Sequence, residues 1–184
     1  IQNLLKAVPA ERVVAAVRRP EKVADLAALG VQVRKADYDQ PATLASAFAG
    51  ASRILLISSS AVGVRVAQHQ AVITAAKHAG VELLAYTSLL RADSSPLALA
   101  GEHVQTEAAI RASGLRHAIL RHGWYTENYA MGIPMALQHG ALIGCAGEGR
   151  IASAARADDA SADAAVLVGD AIGNPVYELA GDDS

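Results

Sequence analysis

The chain has few aromatics and almost no cysteine: Phe, Trp and Tyr make up 4% of its 184 residues, and Cys145 is the single cysteine. One cysteine excludes an intrachain disulfide and fits a reducing compartment, so a cytoplasmic protein is expected. His69, His78, His103, His117, His122 and His139 fall at no metal-ligand spacing, and Cys145 adds none, so no metal is expected. Most of the histidines read as surface or helix-face residues. Basic residues form no run and the formal net charge is −2, which argues against a nucleic-acid partner. No apolar run approaches the roughly 20 residues a membrane span needs, so no membrane association is expected. Two catalytic signatures are also missing. There is no Gly-x-Ser-x-Gly elbow, and no tyrosine is followed four residues later by lysine. The second absence disfavours carbonyl chemistry with a tyrosine acid whose pKa a lysine lowers.

What is present is a rhythm of short apolar runs and helical patterns. Val13 to Val17, Val31 to Val33, Ile54 to Ile57, Leu83 to Tyr86 and Arg116 to Leu120 read as strands, with Val176 to Leu179 as a last one. Helices are expected from Pro20 to Gly30, Pro41 to Gly50, Arg65 to Ala79, Pro96 to Gly114 and Asp158 to Val168. Continuous apolar strands alternating with helices predict an α/β, Rossmann-like doubly wound parallel sheet. Its ligand crevice lies beyond the carboxyl ends of the strands. Residues 1–121 read as the dinucleotide-binding region and 122–184 as a partial substrate-side region, within one domain. The opening Ile1-Gln2-Asn3-Leu4-Leu5-Lys6 reads as the end of a helix, so a chain truncated at both ends is expected.

The strand ends carry the candidate site. Arg18 follows the first strand, where a basic residue favours the 2′-phosphate of NADP; the competing reading is a solvated charge beside a helix start. Asp37 follows the second and could accept from an adenine amino group, or cap the helix at Pro41 as Asp39 also could. Ser58, Ser59 and Ser60 are small enough to let a cofactor approach the backbone. Thr87 and Ser88 end the next strand. The helix where a Tyr-x-x-x-Lys pair would sit reads His103-Val104-Gln105-Thr106-Glu107 instead. The densest candidate is Arg121-His122-Gly123-Trp124-Tyr125-Thr126-Glu127-Asn128-Tyr129. Gly123 permits close backbone approach, and Trp124, Tyr125 and Tyr129 either wall a flat cavity or cover the end of a core.

The blocks Val17-Arg18-Arg19-Pro20, Ala36-Asp37-Tyr38, Leu55 to Ser60, Ala85 to Leu90, Arg121 to Tyr129 and Gly149 to Ser153 resemble the bacterial NADPH:quinone oxidoreductases of type 2. These belong to the NmrA-like branch of atypical short-chain dehydrogenases. The resemblance implies NADPH as cofactor and a small-molecule quinone as substrate, and a homodimer is a further expectation. It implies that Arg18 binds the 2′-phosphate and that Ser58, Ser59 and Ser60 line the cofactor. His122, Gly123, Trp124, Tyr125, Thr126 and Glu127 would run along the nicotinamide, with Ser153 nearby. Tyr125 and Asn128 would face substrate as the catalytic pair. The family's Gly-x-x-Gly-x-x-Gly turn and the central strand before it have no counterpart in this chain, so an exposed gap in the sheet is expected. The alternative is a non-catalytic NADP(H)-binding redox sensor of NmrA type.

Overall fold

A computed structural model describes residues 1–182. Six strands form: β1 (Val14–Val17), β2 (Gln32–Lys35), β3 (Arg53–Leu56), β4 (Leu83–Leu89), β5 (His117–His122) and β6 (Val176–Leu179). Between and after them lie α1 (Ala24–Ala28), α2 (Pro41–Ala47), α3 (Arg65–His78), α4 (Ala100–Ala112), α5 (Thr126–Ala130), α6 (Ile133–His139) and α7 (Arg156–Val168). Every strand pair is parallel, as the strand–helix alternation predicts.

The side chains of β4 explain the double winding. Leu84 and Tyr86 point to one face and join Leu44, Val72, Ile73 and Ile110 from α2, α3 and α4. Leu83 and Ala85 point to the other and join Leu120, Val166 and Leu167, so α7 covers that side. A strand buried on both faces has no polar phase, which is why its sequence shows none.

The sheet is in two pieces. β1 pairs only with β2, while β3, β4, β5 and β6 form a second sheet in that order. A groove of about 920 Å³ lies between them, lined by Val13 to Val17 on one side and Arg53 to Ile57 on the other. This is the gap expected from the resemblance. Tyr38 Oη, just after β2, donates to the carbonyl of Ile57, just after β3, at 3.2 Å. The two sheets therefore present their carboxyl ends on the same side of the molecule.

Two strands run further than the sequence suggests. β4 continues through Thr87 and Ser88 to Leu89, and β5 continues through Arg121 to His122. Register pairs Ser88 with Arg121 and Leu89 with His122. Polar residues stay in the ladder because their side chains find buried partners. The helix expected at Pro96 begins instead at Ala100. The Ser94 and Ser95 amides both donate to the Arg91 carbonyl, which keeps that stretch in turns. The boundary drawn between residues 121 and 122 falls inside β5, and β6 pairs directly with it. Residues 183–184 of the second region lie outside the described residues.

Leu84 is fully buried between the layers, whereas Leu137 on α6 is 80% exposed. Leu84→Ala is expected to cost about 2–5 kcal/mol in urea denaturation, and Leu137→Ala to stay within about 0.5 kcal/mol of the parent.

Candidate functional site at the carboxyl edge

The loop after β3 is fixed from below by buried side chains. The Ser58 amide donates to Thr87 Oγ1 at 2.9 Å, and the Ser59 amide donates to His69 Nε2 at 2.9 Å. Arg65 Nε donates to the Ser59 carbonyl, and the Gly63 amide donates to Glu102 at 2.8 Å. Because His69 Nε2 accepts, its proton sits on Nδ1 and is donated to Thr106 Oγ1 at 3.0 Å. Arg65 also reaches His103 Nε2 at 3.3 Å, which leaves His103 Nδ1–H for the hydroxyl of Tyr86 at 2.8 Å. Burial, together with the Arg65 guanidinium, pushes both histidines down to about 4. They are neutral cross-braces.

The helix positions of a Tyr-x-x-x-Lys pair are used for structure here. His103 is turned inward on Tyr86. Glu107 is 1% exposed and accepts from Ser88 Oγ at 2.7 Å and from Arg121 at 2.9 and 2.8 Å. Burial alone would raise the Glu107 carboxyl, but hydrogen bonds from Arg121, Ser88 and Arg111 hold it below its ordinary value. Arg121 is itself buried, bonded also to Glu178 at 2.8 Å and paired with Asp93 at 3.3 Å. Ser88 is thus committed to the core.

Arg18 lies just past β1, exposed, with no hydrogen bond or ion pair to protein among the described residues. The Asp37 carboxylate accepts from the Asp39 amide at 3.1 Å and from Gln40 Nε2 at 3.3 Å. It shapes the turn before α2 and caps no helix. Asp39 does not cap it either; its carboxylate takes the Gln68 amide at 2.8 Å. The cap position is held by Gln40, without a side-chain bond.

After β5 the segment divides. Trp124 is half exposed and lines a cavity of about 580 Å³ with Leu89, Leu97, Gly123 and Ile151. Tyr125 turns the other way, towards His122 and α7. The two aromatics do not wall one cavity, and Tyr129 lines neither cavity described here. The Gly123 backbone packs tightly on β6. A Cβ there would lie 3.1 Å from the Leu179 carbonyl oxygen, to which the Gly123 amide donates at 2.8 Å. The close approach is to β6.

Ser153 does meet this segment. Thr126 Oγ1 donates to Ser153 Oγ at 3.0 Å, and Tyr125 and Ala154 form a parallel bridge. The Glu127 carboxylate accepts the Arg156 amide at 3.1 Å through both oxygens, at the start of α7, where a negative charge suits the helix. Asn128 sits half-buried in the first turn of α5. His122, expected along the nicotinamide, is buried, as are His69, His103 and His117; His78 and His139 are exposed. Sequence reading missed Arg65, His69, Glu107, Asp159 and Asp163. The one available signal was polar residues spaced four apart on helices otherwise rich in alanine.

A family model described as NAD(P)H-binding matches residues 1–167, and the chain belongs to that family. It is 55% identical over 182 residues to quinone oxidoreductase 2 of Escherichia coli, covering 99% of this chain and 64% of that protein. The structure of the Escherichia coli NADPH-dependent quinone oxidoreductase complexed with NADPH superposes with a TM-score of 0.95 at 54% identity, covering 99% of this chain and 64% of that one. The triphenylmethane reductase of Citrobacter sp. complexed with NADP(H) does so at 0.95 with 38% identity, covering 99% and 65%. The chain thus spans just under two thirds of the length of these relatives.

The two neutral histidines make the fold less stable in acid. The unfolded chain protonates histidine near 6.5, the folded chain near 4 at His69 and His103, so between these values the unfolded state binds more protons. Their contribution is complete above about 6.5 and is lost as pH falls towards 4. The urea midpoint is expected to drop from pH 7 to 4.5, and less steeply in the His69→Gln, His103→Gln double variant.

Proposed function

We propose that this chain is the nucleotide-binding part of an NADPH-dependent quinone oxidoreductase. The observation that carries the reading is the carboxyl edge itself. Arg18 stands there without a protein partner among the described residues, on the same edge as a serine loop whose backbone is already fixed and as the 122–128 segment. A guanidinium with no protein acceptor is suited to a 2′-phosphate. Small serines leave the backbone open to the ribose and phosphate side of a dinucleotide. Arg18, Asp37, Ser58 to Ser60 and Ser153 are the groups of this edge that would hold the nucleotide. The names of the two closely superposing relatives, one bound to NADPH and one to NADP(H), agree with this choice of cofactor.

Bound NADPH supplies a hydride. The chain's own groups would orient the acceptor and answer the charge that develops on its oxygen. Tyr125 and Asn128, both half-buried at the start of α5, are the proposed contacts to that oxygen. A quinone suits a site with no tyrosine–lysine acid, because reduction makes its ring aromatic and catalysis rests mainly on placement. The positions where such an acid would sit are occupied by His103 and Glu107, both locked in the core. No described helix is long and apolar enough to cross a membrane. The exposed, unpaired Cys145 fits the cytoplasm, and the exposed apolar side chains of Met131, Leu137, Leu142 and Ile143 offer a surface that a homodimer would bury.

Fluorescence titration tests the cofactor. Arg18→Ala is expected to weaken NADPH binding about 10- to 100-fold and to leave NADH binding unchanged. Stopped-flow loss of NADPH absorbance with a simple quinone tests the reaction. Binding without turnover at high protein concentration contradicts reduction and favours a sensor.

A further inference from the structure

Beneath Tyr125 lies a row of titratable groups for which hydride transfer gives no reason. His122 is 6% exposed at the end of β5. Its Nε2 is 3.0 Å from Asp163 Oδ1, and its Nδ1 is 3.4 Å from the Tyr125 hydroxyl. A second α7 carboxylate, Asp159, places Oδ2 4.0 Å from the same Nδ1. That oxygen is buried and has no hydrogen-bond partner. Asp159 and Asp163 are four apart on α7, so both face the ring from one side of the helix. A carboxylate on Nε2 fixes the proton there and leaves Nδ1 to exchange one with Tyr125. A carboxylate waiting near Nδ1 stabilises the imidazolium when Nδ1 is loaded. Glu127 and Arg156 stand further out around Tyr125, and Asp158 beside Asp159.

We propose that Tyr125, His122 and Asp163 form a proton relay that passes a proton, taken up from solvent by His122, to the oxygen of the reduced acceptor. This rests on the quinone-reduction reading above. Hydride transfer brings two electrons and one proton to the quinone, whose oxygen then carries a negative charge. The Tyr125 O–H bond breaks and its proton goes to that oxygen. Tyr125 Oη takes a proton from Nδ1 of the His122 imidazolium, which leaves His122 neutral with its remaining proton on Nε2, and one proton from solvent restores the imidazolium. One NADPH, one quinone and one proton are consumed, and NADP⁺ and hydroquinone are formed. Burial, reinforced by Asp159 and Asp163, raises Tyr125 above its ordinary value, so the phenol remains protonated between turnovers. Tyr125 is the group that touches the acceptor; His122 and Asp163 position it and recharge it.

Two measurements separate this relay from the reaction it serves. In the first, ¹⁵N NMR of the imidazoles is recorded for the chain alone. The His122 Nε2 is expected to carry a proton in the parent, Tyr125→Phe to move the Nδ1 resonance, and Asp163→Asn to move Nε2. An Nδ1 resonance that ignores Tyr125→Phe overturns the relay whatever the turnover. In the second, NADPH oxidation by a simple quinone is followed in H₂O and D₂O. His122→Gln is expected to lower kcat about 10- to 100-fold with KM unchanged, to alter the solvent isotope effect, and to be rescued by added imidazole. Parent-like kcat in His122→Gln overturns the proposal. If the parent consumes no NADPH while the NMR coupling holds, the reduction reading fails and the relay loses its acceptor, leaving a Tyr–His–Asp hydrogen-bonded triad only.

Discussion

The hydrogen bond from the Ser59 amide to a neutral His69 ring governs the geometry of the candidate site. It ties a loop that would otherwise be a flexible run of three serines to the buried face of α3. His69 in turn is oriented by Thr106 on α4, so two helices and one strand end are fixed relative to each other through one imidazole. The neighbouring brace, Arg65 to His103 to Tyr86, repeats the pattern one layer down. A loop held this way presents its backbone with little entropy left to lose when a ligand binds.

The same economy recurs around Glu107 and Arg121. Burying an ion pair is costly unless every donor and acceptor is matched. Here Ser88, Arg111, Glu178 and Asp93 complete the set, with all but Asp93 within ordinary hydrogen-bond distance. The cluster sits where β4, β5 and β6 run side by side, and it allows polar residues to remain in the ladder close to the carboxyl edge. That is why β4 and β5 outrun their apolar segments.

Much of this was legible beforehand. The apolar runs located all six strands, and their alternation with helices gave parallel pairing, because Leu84 and Leu83 must each be covered on opposite faces. Arg18, Ser58 to Ser60 and the 122–128 segment were visible as strand-end residues. What the sequence concealed was direction. Trp124 and Tyr125 are adjacent, yet one lines the Leu97 cavity and the other lies on α7, since successive side chains after a strand diverge. The histidines also hid their partners: His69 and His103 stand on helix faces and His122 at a strand end, and the buried group that each one meets is supplied only by tertiary packing. The close contact of Gly123 with the Leu179 carbonyl of β6 was not visible in the sequence.

The split between the β1–β2 pair and the four-stranded sheet leaves Arg18 on one piece and Tyr125 on the other, joined near the edge by the Tyr38 bond to Ile57. Whether the two pieces serve one ligand is best read from backbone amide shifts as NADPH is added. Shared use of the edge requires concerted changes at Arg18, Ser58 to Ser60, Gly123 to Asn128 and Ser153. Changes confined to one sheet, or centred on the opposite edge near Ser52, Glu82 and Arg116, would contradict it.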